Sequence, residues 1–347
     1  MTFLFPKVAI LCIFVSVFTV FADDLRIPLE RIANADKGSS VTVSGISSGG
    51  YMAVQMHIAH SKSINGSAIF AGGPFYCAES NLEFAQYKCM DNTLGLPETQ
   101  KLVALTYTDA SLGLVDPPRN LANDKVYLFS GKADTVVKQP VAKALRDYYE
   151  SFQADVAADF DVEAEHCLPT LAYGEECATL SSPYLGKCDF DGAGRALQHL
   201  FYGELSAAGP SAAAGVGANL FAFDQTPFFV NDGLSSLGGT GYIYIPSNCQ
   251  VGAATGSQCK LHISFHGCKQ GIDRIGDEYA AHSGFNPWAE ANDIVVLYPY
   301  AKVSNTIPLN PNGCWDWWAY TGADYGVKTG VQVRFVAALA KKLGWEL

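Results

Sequence analysis

The stretch that decides the fold is Gly38-Ser-Ser-Val-Thr-Val-Ser-Gly45-Ile-Ser47-Ser-Gly49, which leads from a predicted strand into a predicted helix. The β-branched residues of 38–44 predict the strand, and residues 49–59 predict a helix with Met52 and Met56 on one face. The turn between them matches G-x-S-x-G, a motif that presents a serine on a sharp strand-to-helix turn. Ser47 is therefore a candidate nucleophile, with an ordinary Gly/Ser-rich turn as the alternative.

Predicted strands alternate with predicted helices along the rest of the chain. Such alternation is typical of a mostly parallel sheet with helices on both faces, so we expect an α/β fold. The Gly/Ala/Ser-rich stretch 203–240 also contains several phenylalanines, which favours a surface excursion of a single domain over an interdomain linker. The predicted strands cover 126–129, 242–245, 261–265 and 294–298, and the predicted helices cover 140–152, 278–292 and 330–342.

The first 22 residues have the pattern of a signal peptide. Lys7 precedes an apolar run, which ends in Val20-Phe21-Ala22, a small-residue cleavage pattern. We therefore expect residues 23–347 to form a secreted catalytic domain, extracellular or periplasmic, with no membrane span. The formal net charge of −11 disfavours nucleic acid and anionic membranes as partners, so an uncharged substrate is expected.

The cysteine content predicts disulfides. Of ten cysteines, Cys12 lies in the predicted signal peptide, and an exported chain with the other nine is expected to oxidise them in pairs. A zinc site is the alternative, but no CxxC motif occurs, and we expect no metal. Closeness in the sequence predicts three pairs, Cys77 with Cys89, Cys177 with Cys188, and Cys249 with Cys259.

A serine nucleophile needs a histidine to take its proton and a carboxylate to orient that histidine. Asp134 follows the strand 126–129, where open α/β sheets place catalytic groups, although an Asp is also common in turns. His166 lies in a polar loop further along the chain. The other histidines fall on predicted helices or strands or just before a loop, so His166 is the preferred base.

The residues His266-Gly267-Cys268 follow the strand 261–265 and resemble an HG-type oxyanion motif. The oxyanion hole would then be formed by the backbone amides of Ser48 and Cys268, unless His266 and Gly267 only form a turn. This loop usually precedes the nucleophile in α/β-hydrolases, but here it follows it. A circular permutation of the fold is the simplest explanation.

Three of the five tryptophans lie together in Asn312-Gly-Cys-Trp315-Asp-Trp317-Trp318. Three indoles in one short segment cannot all point inward, so we expect this segment to contact an apolar substrate. Trp315, Trp317 and Trp318 are the candidate substrate-binding residues.

Taken together, these motifs resemble the extracellular poly(3-hydroxybutyrate) depolymerases, in the branch with a circularly permuted α/β-hydrolase domain. The resemblance covers nearly all of residues 23–347 and implies Ser47, Asp134 and His166 as the triad, with Ser48 and Cys268 at the oxyanion hole. It also favours a disulfide from Cys268 to Cys314, because a member's oxyanion loop would gain from being pinned beside the tryptophan segment. Cys167 is then the free thiol. The matching segments are Gly45–Tyr51, Ser130–Asp134, His166 with Pro169–Thr170, Ser182–Tyr184, Phe265–Cys268 and Asn312–Trp318.

The expected function is that of a secreted serine esterase that cleaves poly(3-hydroxybutyrate) or related short-chain polyhydroxyalkanoates through an acyl-enzyme on Ser47. The substrate would be a polyester or an oligoester, no cofactor is needed, and we expect a monomer. One alternative is another secreted carboxylesterase, of the feruloyl or acetylxylan esterase type. The other is a non-catalytic binding protein that uses residues 315–318 as its contact surface.

Overall fold

The computed structural model describes residue 32 and residues 41–207, 216–230, 235–253 and 258–347. The predicted signal peptide, residues 1–22, lies outside these ranges. A large central sheet organises the described part of the chain. Its strands are β1 (Val41–Ile46), β2 (Ile64–Phe70), β3 (Lys125–Phe129), β4 (Asp155–Asp159), β8 (Leu220–Asp224), β9 (Thr240–Tyr244), β10 (Lys260–Phe265) and β11 (Ile294–Tyr298).

This eight-stranded sheet has the order β4-β3-β2-β1-β10-β11-β9-β8. Neighbouring strands are parallel from β4 across to β11, whereas β9 runs antiparallel to both β11 and β8. The predicted α/β class with a mostly parallel sheet is confirmed. A small sheet follows β4 along the chain and consists of β5 (Leu168–Thr170), β6 (Glu175–Glu176) and β7 (Leu185–Lys187).

Nine α-helices are present in the described ranges, and α1 follows β1 directly. One helix predicted from the sequence is two helices in the structure. The single helix predicted over 278–292 is interrupted at Gly284, which has a φ of 93° in the left-handed region that stops a helix. No helix in the described ranges is long and apolar enough to cross a membrane. The helices are α1 (Ser48–Ala59), α2 (Leu82–Tyr87), α3 (Thr99–Ser111), α4 (Gln139–Glu150), α5 (Gly192–Leu200), α6 (Ile272–Ile275), α7 (Glu278–His282), α8 (Phe285–Asn292) and α9 (Val331–Leu343).

Both faces of the sheet are buried. Successive side chains of a strand point to opposite faces, and in β11 this places Val295 and Leu297 in one apolar cluster and Val296 and Tyr298 in another. The first cluster includes side chains of α1, α4 and α9, and the second includes side chains of α5, α7 and α8. Two-sided burial explains why β3 and β11 are almost continuous apolar runs in the sequence.

Strand β1 lies near the middle of the sheet, between β2 and β10. Because these three strands are parallel, the loops at their carboxyl ends emerge at the same edge. The loop after β10 therefore lies beside the turn that carries Ser47, although more than two hundred residues separate them in sequence. The loops after β3 and β4 leave the sheet at this edge too.

Candidate active site

Ser47 occupies the sharp turn between β1 and α1. Its φ of 57° and ψ of −124° lie outside the regions that most residues adopt, and its amide donates to the Phe70 carbonyl at 2.9 Å. A Cβ on Gly45 would lie 2.1 Å from the carbonyl oxygen of Gly49, and a Cβ on Gly49 would lie 2.2 Å from that of Phe265. The glycines of the motif are therefore required by the closeness of the backbone, and Ser47 alone in the turn keeps a partly exposed side chain.

Asp134 and His166 are joined by a hydrogen bond. His166 Nδ1 lies 2.9 Å from Asp134 Oδ2, and both residues are buried. The other carboxylate oxygen, Oδ1, accepts the amides of Val136 and Val137 at 2.8 Å each, which orients the carboxylate. An acidic acceptor on Nδ1 favours the tautomer in which Nε2 is free to take a proton.

Glu165 is a residue of the site that sequence reasoning missed. Its Oε1 accepts the amide of Thr135 at 2.6 Å, the hydroxyl of Thr135 at 2.9 Å and the amide of His166 at 3.0 Å. One carboxylate oxygen thus ties the loop of Asp134 to the loop of His166. Its position directly before the base was the only signal in the sequence, and an acidic residue in a loop is too common to be singled out.

Ser47 and His166 line the same cavity, which has a volume of about 220 Å³. The wall beside them combines apolar side chains with the loop that follows β10. The cavity therefore offers an apolar surface next to a serine and a histidine. Its remaining lining residues are Ile46, Met90, Val136, Leu180, Tyr184, Gly267, Cys268, Lys269, Gln270 and Asn312.

Two backbone amides flank Ser47. The amide of Ser48 lies at the start of α1, where the first N–H groups have no acceptor within the helix. Cys268 lies in the loop after β10, and a Cβ on the neighbouring Gly267 would be 3.2 Å from the Cβ of Ser47. The loop that carries the Cys268 amide therefore lies against Ser47, beside the start of α1.

His266 holds the peptide that carries the Cys268 amide. Burial lowers the pKa of His266 to about 4, so its ring is neutral at physiological pH. Its Nε2 lies 3.1 Å from the Ala301 amide and must accept, so Nδ1 carries the proton and donates to the Gly267 carbonyl at 2.8 Å. The carbonyl and the N–H of one trans peptide point in opposite directions, so this bond also fixes the direction of the Cys268 N–H.

Three further histidines, which sequence reasoning set aside as bases, are engaged elsewhere. His57 is buried between Asp124 and Tyr149, each at 3.1 Å. His262 lies 2.8 Å from the hydroxyls of both Thr42 and Ser44, and His282 stacks on Tyr173. None of these three lines the cavity of Ser47.

The indoles of the tryptophan segment do not line the cavity as the sequence analysis expected. Trp315 is fully buried in the core, so the predicted substrate contact of Trp315 is wrong. Trp317 is only 6% exposed because its ring stacks on Tyr51 with centroids 4.0 Å apart. Trp318 is half-buried and packs against Trp317 and Tyr320. None of the three indoles lines the cavity of Ser47.

All four predicted disulfides are confirmed. Three close short loops, and the fourth joins Cys268 to Cys314, which tethers the loop after β10 to the tryptophan segment. Cys167 is the free thiol of the described ranges and is buried. Burial, together with the charges of Asp134 and Glu165, raises the pKa of its thiol to about 12. Cys167 is therefore a neutral packing residue beside the base rather than a nucleophile.

A larger cavity of about 720 Å³ lies elsewhere, beside β3, β4 and α5. Four of its charged groups form two ion pairs, Lys125 with Asp155 and Arg195 with Asp159, and Asp191 accepts from the Gly194 amide and the Trp288 indole. It contains none of the candidate catalytic residues, so the smaller cavity at Ser47 is the candidate active site. No group of three or more metal-ligating side chains occurs in the described ranges.

Known proteins resemble this chain in both sequence and structure. No family model matches it. It is 45% identical over 308 residues to the poly(3-hydroxybutyrate) depolymerase of Delftia acidovorans, and the match covers 88% of this chain but only 60% of that protein. It is 34% identical over 321 residues to the polyhydroxybutyrate depolymerase of Talaromyces funiculosus, with 88% of this chain and 89% of that protein covered.

Two solved structures have the same fold. A PHB depolymerase with a serine-to-alanine substitution, complexed with an R3HB trimer, superposes with a TM-score of 0.79 at 31% identity and covers 91% of this chain and 99% of its own. The crystal structure of the PHB depolymerase from Penicillium funiculosum has a TM-score of 0.78 at 32% identity, with 90% and 98% covered.

Proposed function

The chain belongs to the poly(3-hydroxybutyrate) depolymerase family, and from that premise we propose that it is a serine esterase that hydrolyses poly(3-hydroxybutyrate) or related short-chain polyhydroxyalkanoates. One observation carries the proposal. His166 is hydrogen-bonded to Asp134 and lines the same cavity as Ser47. A histidine held by a carboxylate beside a serine is the arrangement that activates the serine as a nucleophile.

The proposed reaction proceeds through an acyl-enzyme. Ser47 Oγ attacks the ester carbonyl while His166 Nε2 takes its proton, and the amides of Ser48 and Cys268 stabilise the negative charge on the carbonyl oxygen. The ester C–O bond then breaks, and the alcohol leaves with the proton from His166. In the second half, His166 takes a proton from water, the hydroxide releases the acyl group as a carboxylic acid, and Ser47 regains its proton.

Each residue of the site has a supporting contact. The carboxylate of Asp134 stabilises the imidazolium that forms on His166, and two backbone amides hold it in place. Glu165 holds the two loops of this pair together. The oxyanion loop is held by the disulfide from Cys268 to Cys314.

The lining of the cavity supports an uncharged, methyl-bearing ester as substrate. Met90, Val136 and Leu180 provide apolar contact beside Ser47. Transfer of the methyl group of such a repeat unit out of water is favourable. The net charge of −11 does not oppose the approach of an uncharged polymer. A relative bound to an R3HB trimer supports the same substrate class.

We also propose that the fold is a circularly permuted α/β-hydrolase. The strand before Ser47 lies in the middle of the sheet, yet it comes before β8 to β11, which form the other half. Joining α9 to β1 and opening the chain between α5 and β8 would keep every strand neighbour and leave Ser47, Asp134 and His166 in that order. In that order the loop with Cys268 would precede Ser47, as it does in other α/β-hydrolases.

We infer that residues 1–22 are a signal peptide, that residues 23–347 form one catalytic domain, and that this domain is secreted as a monomer. The four disulfides support secretion, since such bonds persist in oxidising compartments.

The test compares the parent chain with Ser47→Ala on four substrates: amorphous poly(3-hydroxybutyrate) granules, soluble hydroxybutyrate oligomers, a feruloylated sugar and acetylated xylan. We expect the parent, but not the variant, to release hydroxybutyrate products. Release of ferulate or acetate with none from the polyester would favour the other secreted esterases. A folded parent that reacts with no ester and no fluorophosphonate probe would favour the binding protein.

A further inference from the structure

The side chain of Gln270 bridges two walls of the cavity. It lies in the turn after β10, is 1% exposed and lines the cavity beside Ser47. Its Oε1 accepts the amide of Gly267 at 2.6 Å, and its Nε2 donates to the carbonyls of Pro183 at 2.8 Å and Tyr184 at 3.4 Å. The partners decide the orientation of this carboxamide, because an N–H can only donate and a carbonyl can only accept.

The bond to Gly267 acts on the oxyanion loop. It occupies the Gly267 N–H, while His266 holds the Gly267 carbonyl from the other side. Both peptide planes that flank Gly267 are therefore held by side chains. The amide of Cys268 remains as the donor that this loop can offer to an oxyanion, and its direction depends on both bonds.

The bonds to the carbonyls of Pro183 and Tyr184 connect Gln270 to the segment that pairs with the chain beside His166. The carbonyl of Tyr184 also accepts the amide of Leu168 at 3.0 Å, and Leu168 follows His166 by two residues in the chain. One buried carboxamide thus links the loop of the oxyanion donor to the segment that pairs with the loop of the base. No other side chain of this turn makes both contacts in the described ranges.

We propose that Gln270 is a positioning residue that sets the Cys268 amide at the right distance and angle from the serine and histidine. The role rests on the proposed function and extends it. It predicts a defect in the chemical step rather than in substrate binding, since the oxyanion forms only during the reaction. A merely structural glutamine would change the stability and leave the turnover of folded protein unchanged.

The experiment uses a soluble ester, p-nitrophenyl butyrate, so that adsorption to a polymer does not enter. Gln270→Leu removes both bonds, and we expect kcat to fall roughly 10- to 100-fold, somewhat less than for the loss of a whole oxyanion donor, with KM changed by less than about threefold. The Ki of a trifluoromethyl ketone, which mimics the tetrahedral intermediate, should rise by the same factor as kcat/KM falls.

Gln270→Glu provides a second variant with the same shape. Its ionised carboxylate can accept from Gly267 but cannot donate to Pro183, whereas the protonated acid can do both. The ratio of its kcat to that of the parent should therefore rise as the pH falls from about 9 to 5.5, with the direction set by protonation of a buried carboxyl. Taking the ratio at each pH removes the pH dependence that the two proteins have in common.

The matched control is Gln225→Glu. Gln225 is fully buried, its Oε1 accepts the Tyr300 amide at 2.9 Å, and its Nε2 donates to the carbonyls of Gly238 and Tyr300. It does not line the cavity, so its variant should lose stability while the folded enzyme keeps its kcat at every pH. A parent-like kcat in folded Gln270→Leu, or a flat pH ratio for Gln270→Glu, would overturn the role of Gln270. A parent without any esterase activity would overturn the proposed function instead, and this role with it.

Discussion

The backbone of Gly49 lies so close to the carbonyl oxygen of Phe265 that a Cβ on Gly49 would be 2.2 Å from that oxygen. Gly49 is in the first turn of the helix after Ser47, and Phe265 ends the strand before the oxyanion loop. The proposed nucleophile and the proposed oxyanion donors are thus brought together by a backbone contact that only glycine allows.

Gly49→Ala should therefore damage both stability and activity. The added methyl group must displace backbone, and we expect a loss of ~3 kcal/mol or more in the free energy of unfolding. Urea denaturation measures this. The control is Gly217→Ala, where a Cβ would have nothing within 4 Å and the cost should stay within about 0.5 kcal/mol. Equal effects of the two variants would contradict the packing argument.

Ser47→Ala and His166→Ala should each lower kcat roughly 10⁴-fold or more, because members of a triad act as a unit. The fold should remain, since the side chain of Ser47 is on the surface of the cavity rather than in the core. Hydrolysis of a soluble ester and circular dichroism check these two points. Ser63→Ala and His199→Ala are the matched controls, and both should behave like the parent. An active His166→Ala protein would assign the base elsewhere.

Asp134→Asn tests the orientation of the histidine. An amide oxygen can still accept the amides of Val136 and Val137, but its NH₂ group would then face His166 Nδ1. The ring would adopt the tautomer with the proton on Nε2, which cannot take a proton from Ser47. We expect kcat to fall by about 10⁴-fold with little change in Tm. A loss of less than tenfold would show that Asp134 does not set the tautomer.

Removal of the disulfide from Cys268 to Cys314 should cost more stability than removal of the one from Cys249 to Cys259. The two bonds close sequence separations of 46 and 10 residues. Loop entropy then gives costs of about 4 and about 3 kcal/mol for the paired Cys→Ser variants, respectively. Only the first should also lower kcat, because Cys268 supplies a proposed oxyanion amide. The same kcat in both double variants would contradict this link.

Cys167 should resist alkylation in the folded protein. Burial raises the pKa of its thiol from 9.0 to about 12. Almost no thiolate is therefore present at pH 8 to react with iodoacetamide. Peptide mapping should show modification only after unfolding, and rapid labelling of native protein would contradict the assignment.

The same raised pKa has a consequence for stability. Above about pH 9 the unfolded chain loses the Cys167 proton while the folded protein keeps it up to about pH 12, so this residue lowers the free energy of unfolding as the pH rises. Denaturation series at pH 7.5 and 9.5 should show a smaller decrease for Cys167→Ala than for the parent. An identical decrease in both proteins would exclude a contribution from this thiol.

The sequence by itself determined the features that depend on neighbouring residues. The turn at Ser47 could be predicted because glycines, a strand pattern and a helix pattern adjoin it, and the three short-range disulfides could be predicted because their partners lie at most 12 residues apart. The α/β class followed from alternation of the two periodicities, and each of these signals is local.

The tertiary structure alone decided the contacts between residues that are distant in the chain. Trp315 was expected to contact substrate but is buried, since its ring packs against Phe265 and its amide donates to Ser48, and both residues are distant in the chain. Glu165 and Gln270 resemble any polar loop residues until the parallel strands bring their loops to one edge of the sheet. A hydrogen bond depends on distances and angles in space, and no spacing in the sequence encodes these for loops on separate strands.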